Sequence, residues 1–116
     1  MKENVIADKS KSFAIRIIRM YQFLTTEKKE FIISKQLLRC GTSIGANVRE
    51  SIYGQSRPDF HTKLTIALKE AAETEYWLEL LHETDYITKE QFTSIKNDCN
   101  EIIKILTAIT KQTKHK

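Results

Sequence analysis

The chain is poor in residues that break helices, with three glycines and one proline among its 116 residues. All three glycines, Gly41, Gly45 and Gly54, fall within the single segment LRCGTSIGANVRESIYGQS at residues 38–56. Because glycine and proline are the least favourable residues inside a helix, long helices can form on both sides of this segment.

Cysteine and long apolar runs are also scarce. Cys40 and Cys99 form no motif, and we expect both to be reduced, buried apolar side chains. The longest stretch without a charged residue spans only residues 40–48, whereas a bilayer span needs about 20 apolar residues. The N-terminal sequence MKENVIADKSKS has no apolar signal core. We therefore expect a cytoplasmic protein with no membrane partner.

What is present fits one globular domain over residues 1–116, with 41% hydrophobic and 29% charged residues. The formal net charge is +4 at pH 7. A mildly basic balance permits contact with nucleic acid but does not establish it, because many basic proteins simply have solvated lysines.

Hydrophobic residues recur at helical spacing in four windows, about residues 10–24, 29–53, 58–83 and 89–112. The last window contains a heptad seam, and no window shows sustained strand-like alternation. The connections are short, which favours antiparallel neighbours. The sequence therefore predicts an all-α fold, an antiparallel up-down-up-down four-helix bundle.

Polar residues at the window boundaries predict helix caps. The expected N-caps are Asp8 or Ser10 for the first helix, Ser56 or Arg57 for the third, and Thr88 for the fourth. Thr88 and Gln91 have the spacing of a capping box. Gly54 is expected to end the second helix.

Two helices carry apolar residues around more of their circumference than one core needs. The third window includes Ile66, Tyr76 and Leu80, and the fourth adds Ile103 and Ile105 outside its seam. A second apolar stripe implies a second interface, so we predict a homo-oligomer. Scattered exposed apolar residues are the alternative.

Charge is unevenly distributed along the chain. Lys and Arg outnumber Asp and Glu by five to two in residues 1–26, six to three in 27–57 and six to three in 88–116, but the ratio is two to seven in 58–87. Two interpretations remain open. The acidic third helix can face basic neighbours within the bundle, or the basic helices can form a surface for phosphates.

Under the second interpretation, eight residues are candidates for phosphate contact rather than base reading, because no sequence-specific motif is present. These candidates are Arg16, Arg19, Lys28, Lys29, Lys35, Arg39, Arg49 and Arg57. A second interpretation of the same cations is a protein-interaction scaffold whose basic face binds an acidic partner, with no role in nucleic-acid binding.

The glycine-rich segment at residues 41–47 resembles a phosphate loop only superficially, since it lacks the lysine and the preceding strand of a P-loop. As a helix, Gly41 and Gly45 stand one turn apart and make a notch for close helix packing. Asn47, Glu50, Glu70 and Glu73 are candidates for structural roles. A network joining Arg39 or Arg49 to Glu70 or Glu73 would fix the register of the bundle, and simple exposure is the alternative.

No arrangement typical of an enzyme is visible. Glu79 and His82 form one Glu-x-x-His pair, but bundle metal sites need two such pairs and two further glutamates. No histidine is placed by sequence to activate a hydroxyl. We therefore expect no enzymatic activity, no cofactor and no metal.

Two linked segments resemble a known family. QLLRCGTSIGANVRES, with its Ser-Ile-Gly-Ala-Asn core at residues 43–47, precedes DFHTKLTIALKEAAETEYWLELL, with its Ala-Leu-Lys-Glu-Ala run at 67–71 and its Glu-Thr-x-Tyr-Trp-Leu run at 73–78. Together they resemble the four-helix bundle proteins encoded in intervening sequences of bacterial 23S rRNA genes. The resemblance extends over nearly the whole chain.

The resemblance implies an antiparallel four-helix bundle that assembles as a homopentamer. A related branch is similar to the accessory proteins of diversity-generating retroelements, which are basic pentameric barrels that bind nucleic acid and a reverse transcriptase. The partners implied are thus further copies of the chain, RNA or DNA, and a reverse transcriptase or another protein.

Overall fold

The computed structural model describes residues 2–54 and 56–114, so Met1, Gln55, His115 and Lys116 of the predicted domain lie outside it. The described residues form four helices and no strand. The helices are α1 (Lys2–Thr26), α2 (Ile33–Ile52), α3 (Arg57–Glu83) and α4 (Lys89–Thr113). None of these helices is long and apolar enough to cross a membrane.

The helices pack as an antiparallel up-down bundle measuring 46 × 20 × 20 Å. Each helix contacts its two neighbours in the order α1–α2–α3–α4, and α4 closes the arrangement against α1. As a result, α1 and α3 lie diagonally opposite each other, as do α2 and α4.

The core runs along the whole bundle axis and follows the helical spacing of the sequence. Each helix contributes one stripe of buried side chains, and the largest fully buried ones are Ile6, Phe13, Ile17, Leu24, Leu37, Ile44, Leu64, Leu78, Leu81, Ile95, Ile102 and Leu106. The heptad seam predicted for the fourth helix forms the buried face of α4, including Cys99 and Ile109.

The start predicted for the first helix is wrong. α1 begins at Lys2 rather than near residue 10, and neither Asp8 nor Ser10 caps it. Ser10 is fully buried within the helix, and its hydroxyl donates to the carbonyl of Ala7 at 3.2 Å. A serine whose hydroxyl bonds back to the preceding turn can stay inside a helix, so its presence did not mark a boundary.

The start predicted for the second helix is also wrong, because α2 begins at Ile33 instead of residue 29. Lys29 has a left-handed backbone with a φ of 56°, which ends the helical path. Glu30 then serves as the cap. Its carboxylate accepts the backbone N–H groups of Ile32, Ile33 and Ser34 at 3.2, 3.0 and 2.7 Å.

The caps predicted for the other two helices are confirmed at Ser56 and Thr88. The Ser56 hydroxyl accepts the N–H of Asp59 at 3.2 Å. Thr88 and Gln91 form the reciprocal bonds of a capping box at 3.1 and 2.8 Å. The turn before Thr88 contains Asp85 with a left-handed φ of 70°, and it places Ile87 in the core.

The wide apolar faces are used differently in α3 and α4. Ile103 and Ile105 are half-buried and pack against the core, so they do not form the separate stripe expected on α4. On α3, Ile66 and Tyr76 are exposed. α1 also presents exposed apolar residues, Ile15 and Ile18, away from the core.

Candidate functional site

Arg16 is paired across the surface of the bundle with residues of α4. It extends from α1 across to α4, where Nη1 donates to Asp98 Oδ2 at 2.7 Å and Nη2 donates to Ser94 Oγ at 2.9 Å. A guanidinium held by a carboxylate is partly neutralised, so Arg16 has less charge to offer a ligand than a solvated arginine.

Arg39 likewise joins α2 to α3. Its guanidinium forms ion pairs with Glu70 and Glu73, the first at 3.4 Å. Glu73 also accepts the indole N–H of Trp77 at 3.0 Å, so one carboxylate connects the arginine to an aromatic side chain. In these pairs, carboxylates of the acidic α3 face a basic residue of a neighbouring helix, which is one of the two interpretations of the charge distribution.

The other six candidates form a different group. Arg19, Lys28, Lys29, Lys35, Arg49 and Arg57 are all exposed. Within residues 5–54 and 56–114, none of the six forms an ion pair with a carboxylate. Their charge is therefore directed to solvent.

Arg49 shares a groove between α1 and α2 with Lys11, a residue that sequence reasoning did not select. The other lining residues are small, namely Ala7, Ala14, Thr42, Gly45 and Ala46. No carboxylate lines this groove, and both cations are exposed. The signal that would have identified Lys11 is its position on the helix, four residues after Ala7 and three before Ala14, on the face turned to α2.

A groove between the N-terminal half of α1 and the middle of α4 has the opposite character. Three carboxylates, those of Asp8, Asp98 and Glu101, line it together with Lys9. Lys9 is already paired with Glu101 at 2.9 Å. This groove is therefore less favourable for an anionic ligand than the α1–α2 groove.

The two helical glycines lie where α2 packs against α1. A Cβ placed on Gly41 would stand 2.8 Å from two side-chain carbons of Ile17, and one on Gly45 would stand 3.3 Å from the backbone oxygen of Ser10. The segment is thus helix, not loop, and its backbone approaches α1 more closely than a side chain would allow.

Asn47 and Glu50, the other predicted structural residues of α2, make modest contacts. The Asn47 amide donates to the carbonyl of Ser43 at 2.9 Å within the same helix. The exposed Glu50 pairs with Lys63 of α3 at 2.8 Å. Exposed pairs of this kind contribute at most about 1 kcal/mol to stability.

The described residues contain no cluster of three His, Cys, Asp or Glu side chains that could hold a metal ion. His82, half of the Glu-x-x-His pair, stacks on Phe92 with ring centroids 4.5 Å apart. Such stacking is an ordinary packing contact between α3 and α4.

Both thiols lie in the core and are free. Burial raises the pKa of the Cys40 thiol to about 11, although the Thr74 hydroxyl 3.1 Å away opposes the shift. Burial raises the pKa of the Cys99 thiol to about 12. Since the thiolate is the nucleophile, neither residue has the character of a reactive cysteine.

These features define the class of the protein as a four-helix bundle with a basic α1–α2 side and an acidic α3. Residues 2–108 match the 23S rRNA-intervening sequence protein family, and the chain belongs to that family.

A solved structure gives the same fold. The chain is 63% identical to a protein of unknown function from Bacteroides thetaiotaomicron, described as a member of the S23 ribosomal protein family. The match covers 96% of this chain and 99% of that one, with a TM-score of 0.94. No curated protein matches the chain.

Proposed function

We propose that the protein is a non-enzymatic, homo-oligomeric bundle that binds the backbone of RNA or DNA through the basic faces of α1 and α2. The observation that carries this proposal is the α1–α2 groove. There, Lys11 and Arg49 are exposed over a floor of small residues, with no carboxylate in the lining. Small residues let a phosphodiester backbone approach closely, and the two cations contact its phosphates.

The two adjacent helices α1 and α2 both contribute to a basic excess. Residues 1–26 and 27–57 hold more Lys and Arg than Asp and Glu, as do residues 88–116, while residues 58–87 are strongly acidic. Of the three α2 cations on the candidate list, Lys35, Arg39 and Arg49, only Arg39 is paired with α3 within the described residues. Pairing with the acidic α3 therefore accounts for only one of these three cations within the described residues.

Oligomerisation is part of the proposal. Ile15 and Ile18 on α1 and Ile66 and Tyr76 on α3 are exposed at 36–53% of their full surface, on opposite sides of the bundle. Apolar residues on two opposite faces suit contacts between copies, and the family resemblance implies five copies. Each copy adds a net charge of +4, which strengthens attraction to a polyanion.

Binding of labelled RNA and DNA oligonucleotides tests this function, measured by fluorescence anisotropy over a series of salt concentrations. Each phosphate contact contributes about 0.7 to 0.9 to the slope of log affinity against log salt. We expect the Lys11→Gln/Arg49→Gln double variant to bind more weakly and to lose about 1.4 to 1.8 units of slope.

The matched control is Lys104→Gln/Lys111→Gln, which removes the same charge from the exposed face of α4. It should retain most of the wild-type affinity. Wild-type protein that shows no salt-sensitive binding at low ionic strength would refute the proposal, and equal losses in the two double variants would refute the assignment to α1 and α2.

The second candidate is a scaffold that binds an acidic protein through the same cations and has no nucleic-acid role. The exposed cations of α2 favour it as well as they favour a nucleic acid, because both ligands are anionic. A pulldown with and without nuclease separates the two: a partner protein of the scaffold remains after nuclease treatment, whereas proteins bridged by nucleic acid are lost.

A further inference from the structure

The turn between α1 and α2 exposes two large apolar side chains. Phe31 retains 55% and Ile32 78% of its full accessible surface. Neither belongs to the core cluster, so folding of the bundle does not explain them. Adjacent exposed apolar side chains with polar residues around them are typical of an interaction site.

Hydrogen bonds centred on Glu30 fix the backbone of this turn. The Glu30 N–H donates to the carbonyl of Leu24 at 2.9 Å, and its carboxylate accepts three N–H groups at the start of α2. The Ser34 hydroxyl donates back to the Glu30 carbonyl at 2.8 Å. Glu30 is directed inward, and Phe31 and Ile32 are directed outward. Because the backbone of the turn is already fixed, little backbone conformational entropy is lost when a ligand binds to these side chains.

Three exposed lysines lie close to these apolar side chains in the chain. Lys28 and Lys29 precede them, and Lys35 follows one helical turn later. Lys28 Nζ lies 5.9 Å from the centre of the Phe23 ring, at the end of α1. The exposed Glu27 and the capping Glu30 are the acidic residues of this segment, and the Glu30 carboxylate is already bound by backbone N–H groups.

We propose that this turn binds an unpaired nucleotide of single-stranded RNA or DNA. The base stacks on the Phe31 ring, with Ile32 beside it, and the neighbouring phosphates contact Lys28, Lys29 and Lys35. Every base presents a flat face, so the contact is tolerant of sequence. A duplex cannot use it, because its bases are already stacked and paired. The inference rests on the proposed function. It adds that the ligand is a single strand and that Phe31 distinguishes a single strand from a duplex.

The test compares single-stranded and duplex oligonucleotides of the same length by anisotropy. Stacking of a base on an aromatic side chain is worth about 1–3 kcal/mol, so Phe31→Ala should weaken single-strand binding roughly 5- to 150-fold. Duplex binding should not change. Phe31→Trp, which keeps an aromatic face, should retain single-strand affinity.

Tyr53→Ala is the matched control. Tyr53 is 80% exposed and follows the C-terminal end of α2, whereas Phe31 precedes the start of that helix. Its removal should leave both affinities unchanged. An abasic oligonucleotide provides a second readout: the wild-type protein should bind it about as weakly as Phe31→Ala binds the normal strand, and Phe31→Ala should not distinguish the two.

The outcomes separate this inference from the proposed function. If wild-type protein binds nucleic acid with salt dependence but Phe31→Ala binds single strands equally well, the inference is wrong and the proposed function stands. If wild-type protein binds neither strand class, both fail. If Phe31→Ala instead changes the oligomer mass in light scattering while affinity per subunit is preserved, the turn is a contact between copies and the inference is overturned.

Discussion

Gly41 of α2 lies directly against Ile17 of α1, so that a Cβ at position 41 would stand 2.8 Å from both Cγ atoms of the isoleucine. Ile17 is fully buried and β-branched, and it has little freedom to move aside. The glycine weakens α2 as a helix by about 1 kcal/mol relative to alanine, and the close approach of the two helices offsets that loss.

Gly41→Ala is expected to destabilise the protein even though alanine is the better helix former. Overpacking a core costs about 1–3 kcal/mol, which exceeds the gain in helix propensity. Urea unfolding followed by circular dichroism measures the difference. Gly45→Ala should cost less, because its Cβ would meet the backbone oxygen of Ser10 at the milder distance of 3.3 Å.

A double-mutant cycle identifies the contact responsible. In an Ile17→Ala background the space beside position 41 is open, so Gly41→Ala should become neutral or stabilising. An equal cost of Gly41→Ala in both backgrounds would show that Ile17 is not the obstacle.

Removal of the Glu30 cap is expected to destabilise α2. It should also reduce the loss of unfolding free energy that occurs as the pH is lowered. Burial alone would raise the pKa of the Glu30 carboxyl, but bonds from the backbone N–H groups of Ile33, Ser34 and Ile32 together hold it below the ordinary value of 4.5. The unfolded state therefore takes up the proton first. The stabilisation is complete above pH 4.5 and is lost as pH falls through the lower folded-state value.

Glu30→Gln should thus lower the unfolding free energy by about 1 kcal/mol at neutral pH and remove part of the loss seen on acidification. Thermal or urea unfolding at pH 3 to 7 measures both effects. Glu27→Gln is the control, because Glu27 is exposed on the same turn. If the two variants behave alike at every pH, Glu30 does not act as the cap.

The position of this cap also shows what the sequence could predict. The apolar spacing predicted four helices and the buried seam of α4, and the local pattern of Thr88 and Gln91 predicted its cap. The start of α2 could not be predicted in the same way. It depends on the left-handed Lys29 and on a carboxylate that bonds three N–H groups, and neither has a characteristic spacing.

The candidate surface was predictable only in part, for a related reason. Sequence gives the number of cations on each helix but not the carboxylates that face them from a neighbour. Arg16 and Arg39 were indistinguishable from Arg49 until Asp98, Glu70 and Glu73 were placed opposite them in space. Lys11 was overlooked because its partner in the groove is on another helix.

Arg49→Gln is expected to weaken nucleic-acid binding more than Arg39→Gln does. Arg39 is held by two carboxylates of α3, whereas Arg49 has no ion-pair partner among the described residues. Loss of one phosphate contact should lower the salt-dependence slope by about 0.7 to 0.9 units for Arg49→Gln, with a smaller change for Arg39→Gln.

Stability should show the reverse order. Arg39→Gln removes the link between α2 and α3 and leaves Glu70, which is only 19% exposed, without its cation, so a loss of up to about 1 kcal/mol is expected. Arg49→Gln should unfold like the wild type. Greater weakening of binding by Arg39→Gln than by Arg49→Gln would contradict the distinction between paired and solvated arginines.

The thiols of Cys40 and Cys99 are expected to resist a disulfide reagent at pH 8 in the folded protein. Burial blocks access and raises their pKa values to about 11 and about 12, so very little thiolate is present. Both should react fully and rapidly in denaturant. Rapid reaction of either thiol under native conditions, followed by absorbance of the released thiolate, would show that the core opens locally.

Because α1 and α3 lie diagonally opposite each other, positive and negative charge are separated across the bundle. One side carries the basic excess of α1 and the opposite corner carries the acidic excess of α3, so the molecule has a dipole component across its long axis. A polyanion near the protein exerts a torque on this dipole before any contact forms, and it turns the α1 side inward. Orientation during approach thus depends on which helices carry the charge and on their order in the bundle, and it would persist if each lysine of α1 were replaced by arginine.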